Sequence, residues 1–447
     1  MRGKTIGIEL VHFARAQHNI ELMEYNFRHS KSLHGYDTDT LLSALQKYIR
    51  RGDLNAALYA GMELEYFSEL PAAVPLVTNT VNRLRVALAE ETAGLTWPAM
   101  VEKFDWKYRV FDNNRRGNVA ARRAAFLNMI TMLVMAKKQR LISDIKAVYF
   151  TPDAKALALA SDNPTLRRLY PEVYTFDSQV IDAHYTLLPG DDEPRLRLIV
   201  DGLLTAMKRK SDHGFYWLNQ LVLATQDGVA VAKRKKTMKD KTSQAHPMYL
   251  LSELCYAYAR KGARLWDNSA PVVDAGWTRM MCAALDVCFE YDKHFGLNAK
   301  GVPKHRDWVV FTIWPLLYCV RNVDWSHNDV PFTPITPDEA QEFYKKHAAA
   351  PTRVFDDFVF DQHTAKGRSL NRGPEFFAEH GALVLNEDES LHNASYRLLY
   401  NEFKKVQPKR KKTASKRTTN NDDDDNDSGD EDEDEDDKEK KNKRAKK

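Results

Sequence analysis

A segment late in the chain concentrates residue types that could bind an anion. It reads FDQHTAKGRSLNRGPEFFAEHGA over residues 360–382. Lys366, Arg368 and Arg372 supply its cations, and glycines let the backbone approach a ligand closely. The Pro-Glu pair predicts the start of a helix, whose free N–H groups and positive dipole end favour phosphate. The sequence therefore predicts that these three cations bind phosphate or a nucleic-acid backbone.

Two other interpretations of this segment are open on sequence grounds. Its cations could instead pair with Asp356, Asp357 and Asp361 and cap the helix, which would make the segment purely structural. Asp361 and His363 would also share one face of an extended segment, and a carboxylate beside an imidazole is a weak candidate metal site. A solvated loop is the simpler alternative for these acidic residues. No residue is predicted to be catalytic, and no cofactor is predicted.

Two further basic regions are candidate nucleic-acid contacts. The first, residues 105–123, interleaves aromatic side chains such as Trp106 with cations, and the second is a basic run in a predicted loop, residues 233–236. Aromatic rings can stack on bases while cations hold phosphates, although charged surfaces are usually only solvated. The predicted contacts are Lys107, Arg109, Arg115, Arg116, Arg122, Arg123, Lys233, Arg234, Lys235 and Lys236.

The last part of the chain alternates blocks of charge. A basic block precedes the acidic run DDDDNDSGDEDEDEDD, and a second basic block follows it. Blocks of like charge without apolar residues cannot bury enough surface to order, so residues 406–447 are predicted to be disordered. Such basic clusters also favour nuclear import, with a purely solvating tail as the alternative. The residues concerned are Lys409, Arg410, Lys411, Lys412, Lys443, Arg444, Lys446 and Lys447.

The overall composition is typical of a folded, soluble chain. Hydrophobic residues make up 43% of its 447 residues, and the formal net charge is +4. No apolar run approaches the roughly 18 residues of a membrane helix, and the first residues lack the features of a secretory signal. The sequence predicts no membrane association and no secretion, with a location in the nucleus or a viral replication compartment, or otherwise in the cytoplasm. The cysteines, without CxxC pairing, are expected to be reduced core residues.

Apolar residues recur at helical spacing through most of the chain. The clearest unit begins at residue 38 as a helical hairpin whose first helix is capped by Asp39 or Thr40. Gly52 is predicted to end that helix, and Asp53 to cap the next one. A second hairpin at residues 203–221 follows the same pattern, either as an internal repeat or because both units are amphipathic. The predicted fold class is mainly α, a two-lobed array of helices with a disordered charged tail.

Other segments carry local signals of structure. HRDWVVFTIWPLLYCVRNV is typical of a buried central helix, kinked at Pro315. Thr336, Pro337 and Glu339 form the pattern of a capping box with proline at the first helical position. Residues 102–123 are interpreted as a basic, aromatic connection between helices.

Proline placement divides the chain. Prolines concentrate between residues 152 and 194, which favours a connection there between two helical lobes. The predicted organisation is an N-terminal extension at 1–38, a helical domain at 39–150, a Pro-rich connection at 151–195, a second helical domain at 196–350, a basic loop with closing helices at 351–405, and the tail at 406–447.

The first helical domain resembles part of a known family. ALQKYIRRGDLNAALYAGMEL, then RLRVALAEETAGL before a Pro-containing turn, then a long helix ending AKKQRLISDIKAVY are similar to the helical collar of the RarA/MgsA clamp-loader-related AAA+ ATPases, which include the Werner-helicase-interacting protein. The resemblance covers roughly residues 39–148 and implies a helical oligomerisation or DNA-side platform. The chain has no GxxxxGK[ST] loop, so the ATPase motif of that family is missing.

A second resemblance is looser. Asp361, His363, Thr364, Gly367 and Arg368, followed by a Gly-Ala pair, resemble a signature of uncharacterised proteins of large DNA viruses. The resemblance implies no activity. It implies only that the histidine and the threonine are held in defined positions rather than lying loosely on the surface.

These patterns together favour a non-enzymatic protein that binds nucleic acid, DNA in the first instance, or scaffolds replication and recombination proteins, with homo-oligomerisation left open. A virion-associated or structural protein that contacts genome or partners without selectivity is the first alternative. A metal-dependent nuclease is the second. A protein kinase is excluded, because the string HRDWVVFT has neither the asparagine nor the upstream Gly-rich loop that kinases need.

Overall fold

A computed structural model describes residues 31–69, 74–92, 98–115, 117–170, 188–189, 191, 193–235, 243–244, 247–267, 269–271, 275, 278–279, 281–282, 285, 308–322, 333–385 and 394–406. The predictions made for the N-terminal extension before residue 31 and for the charged tail after residue 406 lie outside these residues.

The described chain is mainly α, as the sequence predicts. Its helices are α1 (Thr38–Arg51), α2 (Leu54–Tyr66), α3 (Val74–Ala87), α4 (Pro98–Asn113), α5 (Val119–Met135), α6 (Leu141–Phe150), α7 (Pro152–Ala160), α8 (Pro164–Arg167), α9 (Pro194–Arg209), α10 (His213–Gln226), α11 (Pro247–Lys261), α12 (Trp308–Val320), α13 (Pro337–Ala348), α14 (Ala365–Ser369), α15 (Pro374–Phe376) and α16 (Ala394–Val406). Single turns of 3₁₀ helix lie at Phe67–Glu69, Gly262–Leu265 and Asp357–Val359, and π-helical turns at Leu88–Thr92 and Phe377–Gly381. The strands β1 (Arg234–Lys235) and β2 (Ser243–Gln244) pair antiparallel.

The first hairpin forms from its predicted signals, with one difference. Gly52 ends α1 in the left-handed conformation, with φ of 74°, which glycine adopts without steric cost. The carboxylate of Asp53 then accepts the N–H of Ala56 and caps α2. The cap of α1 was predicted at the wrong residue, because Asp37 occupies that position and makes no side-chain capping bond.

The segment predicted as a connection, residues 102–123, is largely helical. Helix α4 runs through residue 113, and only a short break separates it from α5. Val101, Phe104 and Phe111 are buried along one side of α4, with Tyr108 partly buried between them. Spacings of three and four residues produce this stripe, which is the helical period. The charged residues between the stripe positions obscured that period in the sequence.

One large hydrophobic core extends through the described elements from Leu41 to Phe403, and a smaller cluster joins Ala124 and Leu127 of α5 to Ala340 and Tyr344 of α13. In helix α12 every residue from 312 to 320 is inaccessible to solvent or nearly so. Pro315 lies inside this helix. The prediction of a buried central helix is therefore confirmed.

The late part of the chain packs back onto the first hairpin. Helix α13 begins with the predicted capping box of Thr336 and Glu339, and it packs against α5 and α2. The following residues run along α1, where the Tyr48 hydroxyl donates to Asp356 at 2.7 Å. The Ser43 hydroxyl likewise donates to the carbonyl of Val359 at 2.7 Å. Segments that are about 300 residues apart in sequence thus share one packed unit.

The second predicted hairpin is also present. Helices α9 and α10 pack together, and Lys210 ends α9 in the left-handed conformation, with φ of 50°. Helix α9 therefore ends in the same left-handed backbone conformation as α1, where the residue is a glycine. Whether the two hairpins are a true repeat stays a prediction.

The described residues show no membrane-spanning helix, and their cysteines are free. No described helix is both long and apolar enough to cross a lipid bilayer. Cys255 and Cys319 are buried, Cys282 is partly buried, and all three are free thiols. Cys288 lies outside the described residues.

Candidate functional site

The basic loop predicted as an anion site is organised around one buried carboxylate. Asp361 is fully inaccessible, and its Oδ2 forms an ion pair with Lys47 Nζ of α1 at 2.5 Å. Its Oδ1 accepts the backbone N–H of His363 at 2.8 Å and lies 3.0 Å from that residue's Nδ1. The buried ion pair with Lys47 therefore attaches the loop to helix α1 of the first hairpin.

Burial disfavours the charged form of both members of this ion pair. Burial raises the pKa of Asp361, but the hydrogen bond and charge of His363 and the charge of Lys47 outweigh it and hold the pKa at about 2. Burial lowers the pKa of Lys47 to about 8 even though Asp361 attracts its proton. The ion pair therefore depends on the close contact between the two side chains. Its net contribution to the free energy of unfolding is small compared with the cost of removing one of the two charges.

Gly367 lets the loop close on itself. A Cβ atom at this position would lie 1.8 Å from the carbonyl oxygen of Asp361. The fully buried hydroxyl of Thr364 accepts the N–H of Gly367 at 3.0 Å and donates to Asp361 O at 3.2 Å. The glycine is needed for packing within the loop. His363 and Thr364 are both held in defined positions.

The three predicted anion-binding cations point to separate partners. Arg372 pairs with Asp357 at 2.6 Å and donates to the carbonyl of Phe360. Lys366 places its Nζ 3.8 Å from the ring centre of Phe360. Arg368 donates to the carbonyl of Gln362 at 3.2 Å, and its Nη2 lies 3.9 Å from Asp39.

A cleft beside Arg372 is mixed in charge. Its lining includes Arg372, Lys404 and Lys405, and it also includes Glu375 and Glu379. Lys366 and Arg368 do not line it. This cleft therefore contains only one of the three cations, whereas phosphate binding at this loop requires that they converge on one concavity.

The outer face of α4 places an aromatic ring among cations. The Trp106 side chain is 58% exposed, and Lys107 Nζ lies 4.6 Å from its ring centre. Arg109 extends from the next turn and pairs with Asp105 at 2.9 Å. Lys103, which the sequence analysis did not single out, is exposed three residues before the tryptophan and shares its face. These residues form what we call the α4 face: Lys103, Trp106, Lys107 and Arg109.

Other cations of the 105–123 region are used inside the fold. Arg122 is buried and donates to Glu65 of α2 at 2.9 Å. Arg123 donates to the same carboxylate at 3.0 Å and lies over the ring of Tyr344. Arg115 pairs with Asp112 at 2.6 Å and also donates to the hydroxyl of Thr78 in α3 at 2.6 Å. These arginines hold helices together, and Arg116 lies outside the described residues.

The remaining predicted basic contacts are only partly described. Lys233 is exposed, directly before β1, which contains Arg234 and Lys235. The segment predicted as a loop thus includes one strand of a small hairpin. Lys236, the side chains of β1 and the basic clusters of the tail lie outside what the structure describes.

A cluster that the sequence analysis missed joins His34, Glu63 and His347. Glu63 Oε1 lies 2.5 Å from His34 Nδ1 and 2.5 Å from His347 Nε2. Glu63 Oε2 accepts the backbone N–H of His34 at 3.1 Å and the hydroxyl of Ser32. We call these three residues the histidine–glutamate cluster. Among the described residues it is the one group of three metal-ligating side chains whose donor atoms lie close together, within 4.8 Å.

The charge of the cluster is set by its hydrogen bonds. Burial raises the pKa of Glu63, but hydrogen bonds from His347, Ser32 and His34 outweigh it and hold the pKa at about 2. The carboxylate is therefore ionised at neutral pH. The members are separated by 29 and 284 residues along the chain, so no local motif could have revealed the cluster.

Comparisons with known proteins add no family to this description. No family model matches the chain, and neither curated proteins nor solved structures gave a significant match. The resemblance of residues 39–148 to clamp-loader collars, and the looser resemblance to viral proteins, stay predictions.

Proposed function

We propose that the protein is a non-enzymatic helical platform that binds nucleic acid, DNA in the first instance, through the α4 face. The proposal rests on the exposed indole of Trp106 with Lys107 against its ring. A ring flanked by cations suits base stacking while the neighbouring charges hold phosphates.

Helical spacing supports a shared contact. Lys103 precedes Trp106 by three residues and Lys107 by four, so the side chains project from one side of α4. The two lysines are separated by about 6 Å along the helix axis. A strand lying across this face would meet two cations and one stacking surface together.

The charge balance around the α4 face also supports the proposal. Asp105 and Asp112 are the acidic neighbours, and each is paired with an arginine, Arg109 and Arg115 respectively. Their repulsion toward a phosphate is therefore reduced. The proposed contact surface is narrower than the sequence suggested, because Arg122 and Arg123 are committed to Glu65.

The platform part of the proposal is more general. A continuous helical core with a short-loop hairpin at its start suits a scaffold that presents surfaces to partner proteins. The resemblance to collars adds oligomerisation and a link to replication and recombination. The basic tail would add a flexible arm and import into the nucleus or a viral replication compartment.

The test is binding of the full chain to labelled single-stranded and duplex oligonucleotides across a series of salt concentrations. The Lys103→Gln/Lys107→Gln variant removes two charges from the α4 face. The matched control, Lys366→Gln/Arg368→Gln, removes two charges from the basic loop and keeps the tail. We expect the α4 variant to reduce the salt slope by about 1.4 for single strands, since each lost phosphate contact reduces it by about 0.7. The control should leave the slope unchanged.

A second variant separates stacking from charge. Trp106→Ala should weaken single-strand binding by about 1–3 kcal/mol while leaving the salt slope intact, because stacking releases no counterions. Equal losses in the α4 variant and its control would assign binding to the tail or to net charge alone. Absence of binding to any nucleic acid, or binding that is insensitive to salt, would favour the virion-associated or partner-binding alternative.

A further inference from the structure

The histidine–glutamate cluster lies apart from the α4 face and combines three segments. His34 belongs to the turn before α1, Glu63 to α2, and His347 to the last turn of α13. The side chains are 10%, 0% and 3% exposed. We infer that this cluster is a structural site for one divalent transition-metal ion of the zinc class, with His34, Glu63 and His347 as its protein ligands.

The donor set fits this class of ion. Two imidazole nitrogens and a carboxylate oxygen are ordinary ligands of Zn²⁺, at about 2.0–2.2 Å from the ion. Ligands at these distances in a tetrahedron lie about 3.3 Å from one another. The two contacts of 2.5 Å to Glu63 Oε1 therefore open by a little under 1 Å when the ion enters, within the 4.8 Å that already spans the three donor atoms. Imidazole ligands favour zinc, cobalt, nickel or copper over magnesium and calcium.

A count of protons points to a cation at this place. Both ring nitrogens of His34 face acceptors, because Nδ1 lies 2.5 Å from Glu63 Oε1 and Nε2 lies 3.0 Å from the carbonyl of Ala350. A neutral imidazole has only one N–H, so both acceptors are satisfied only if the ring carries two protons or if Nδ1 binds a cation. A metal ion bound to Nδ1 leaves the proton on Nε2, where it donates to Ala350. The ion also gives Oε1 of the carboxylate a positive partner that it shares with both rings.

The surrounding hydrogen bonds are those that orient metal ligands. A ligating histidine typically donates its other N–H to a backbone carbonyl or a carboxylate, as His34 does toward Ala350. A ligating carboxylate is typically held through its second oxygen, as Glu63 Oε2 is by the Ser32 hydroxyl and the His34 backbone. Ser32 is therefore a positioning residue. The fourth ligand is then an oxygen from solvent.

The electrostatics of the backbone agree with a bound cation. His347 lies in the last turn of α13, where the helix presents the negative end of its dipole.

The site is enclosed, which suits a structural role. The ring of Tyr59 packs edge-on against His347 with centres 4.6 Å apart, and the hydroxyls of Tyr36 and Tyr59 lie 3.1 Å apart beside it. An ion here would tie the turn at residues 31–37 and the chain after α13 to the first hairpin. It would strengthen the contact between parts of the chain that are distant in sequence.

The test uses the full chain, stripped with a chelator and titrated with Co²⁺ and with Zn²⁺. We expect saturation at about one equivalent of Co²⁺ with the visible bands of a tetrahedral ion, displacement of Co²⁺ by Zn²⁺, and no effect of Mg²⁺. The Mg²⁺ measurement separates the site from the acidic run of the tail, which attracts cations through charge alone.

Ligand variants assign the residues. His34→Gln and His347→Gln should each weaken binding by at least about 100-fold, and Ser32→Ala by about 10–100-fold, as for residues that orient ligands. The matched control is His380→Gln, at an exposed histidine outside the cluster. The stripped variants are compared with stripped wild type by circular dichroism, so that loss of folding is distinguished from loss of a ligand.

The titration of the wild-type chain tests whether the metal site exists even if a variant fails to fold. Absence of stoichiometric Co²⁺ and Zn²⁺ binding by the wild-type chain would overturn the inference and leave a cluster held by protons. Binding that is unchanged in both histidine variants would also overturn it, because the ion would then lie elsewhere.

Discussion

The basic loop and the histidine–glutamate cluster are both polar assemblies packed on the first hairpin, yet they differ in how their charges are satisfied. In the loop each carboxylate oxygen meets a separate partner, since Asp361 Oδ2 meets Lys47 and Oδ1 meets His363, while Asp357 Oδ1 meets Arg372. In the cluster one carboxylate oxygen faces two imidazoles, and His34 faces more acceptors than a neutral ring can satisfy. The two assemblies therefore differ in how many imidazoles share one carboxylate oxygen, and this shared contact is the observation behind the proposed metal site.

The largest expected effect tests whether the loop is structural. Asp361→Asn should destabilise the protein by about 3–5 kcal/mol, because it leaves the buried ammonium of Lys47 without a counter-charge. Denaturant unfolding followed by circular dichroism measures this change. The matched control is Asp357→Asn at a 73% exposed carboxylate, where the expected loss is at most about 1 kcal/mol.

A double variant sharpens the same comparison. Lys47→Met with Asp361→Asn should recover a large part of the loss, since a neutral pair of similar volume has no charge to desolvate. If the single variant were as stable as wild type, the loop would not depend on this ion pair. The interpretation of the loop as self-satisfied would then be wrong.

The second prediction concerns the closure of the loop. Gly367→Ala should destabilise the protein by about 3 kcal/mol, the upper end of the range for overpacking, because the new Cβ would meet the backbone of Asp361. Gly117→Ala is the matched control, since nothing lies within 4 Å of a Cβ at that exposed position. Its effect should stay within about 0.5 kcal/mol. Thermal unfolding of the two variants under identical conditions compares them directly.

The third prediction follows from the lowered pKa of Asp361. Its folded-state pKa of about 2 lies below the ordinary value of about 3.9, so the folded state favours the ionised form. This contribution of about 2 kcal/mol is present above the ordinary value and is lost as the pH falls toward 2. The free energy of unfolding, measured from pH 7 to pH 2, should therefore fall less steeply in Asp361→Asn than in wild type. Parallel slopes for the two proteins would contradict the assignment.

The smallest expected effect concerns an exposed cation of the loop. Lys366→Met removes a contact between an ammonium and the ring of Phe360 and should cost at most about 1 kcal/mol. It should also leave nucleic-acid binding unchanged, in contrast to Lys107→Met on the α4 face. A large loss of nucleic-acid affinity in Lys366→Met would restore the loop as a phosphate site.

Local signals predicted much of the secondary structure. The left-handed stop at Gly52, the cap at Asp53 and the capping box of Thr336 and Glu339 all depend on residues within a few positions of one another. The cap of α1 was predicted at Asp39 or Thr40, whereas the structure has Asp37 there. The segment that forms α4 was predicted to be a connection between helices. The apolar spacing at residues 101, 104, 108 and 111 of α4 is visible in the sequence. The many charged residues between these positions favoured the interpretation as a connection instead.

The sequence by itself determined that the protein is mainly α, where most of its hairpin turns and caps lie, and which residues are available to carry charge. Only the tertiary structure decided which charges are used internally and which remain on the surface. Arg122 and Trp106 come from the same basic, aromatic segment, yet one is buried against Glu65 and the other is exposed. The physical reason is that caps and helical periods act over a few residues. The pairing of Lys47 with Asp361 and of Glu63 with His347 instead depends on how the whole apolar core brings distant segments together.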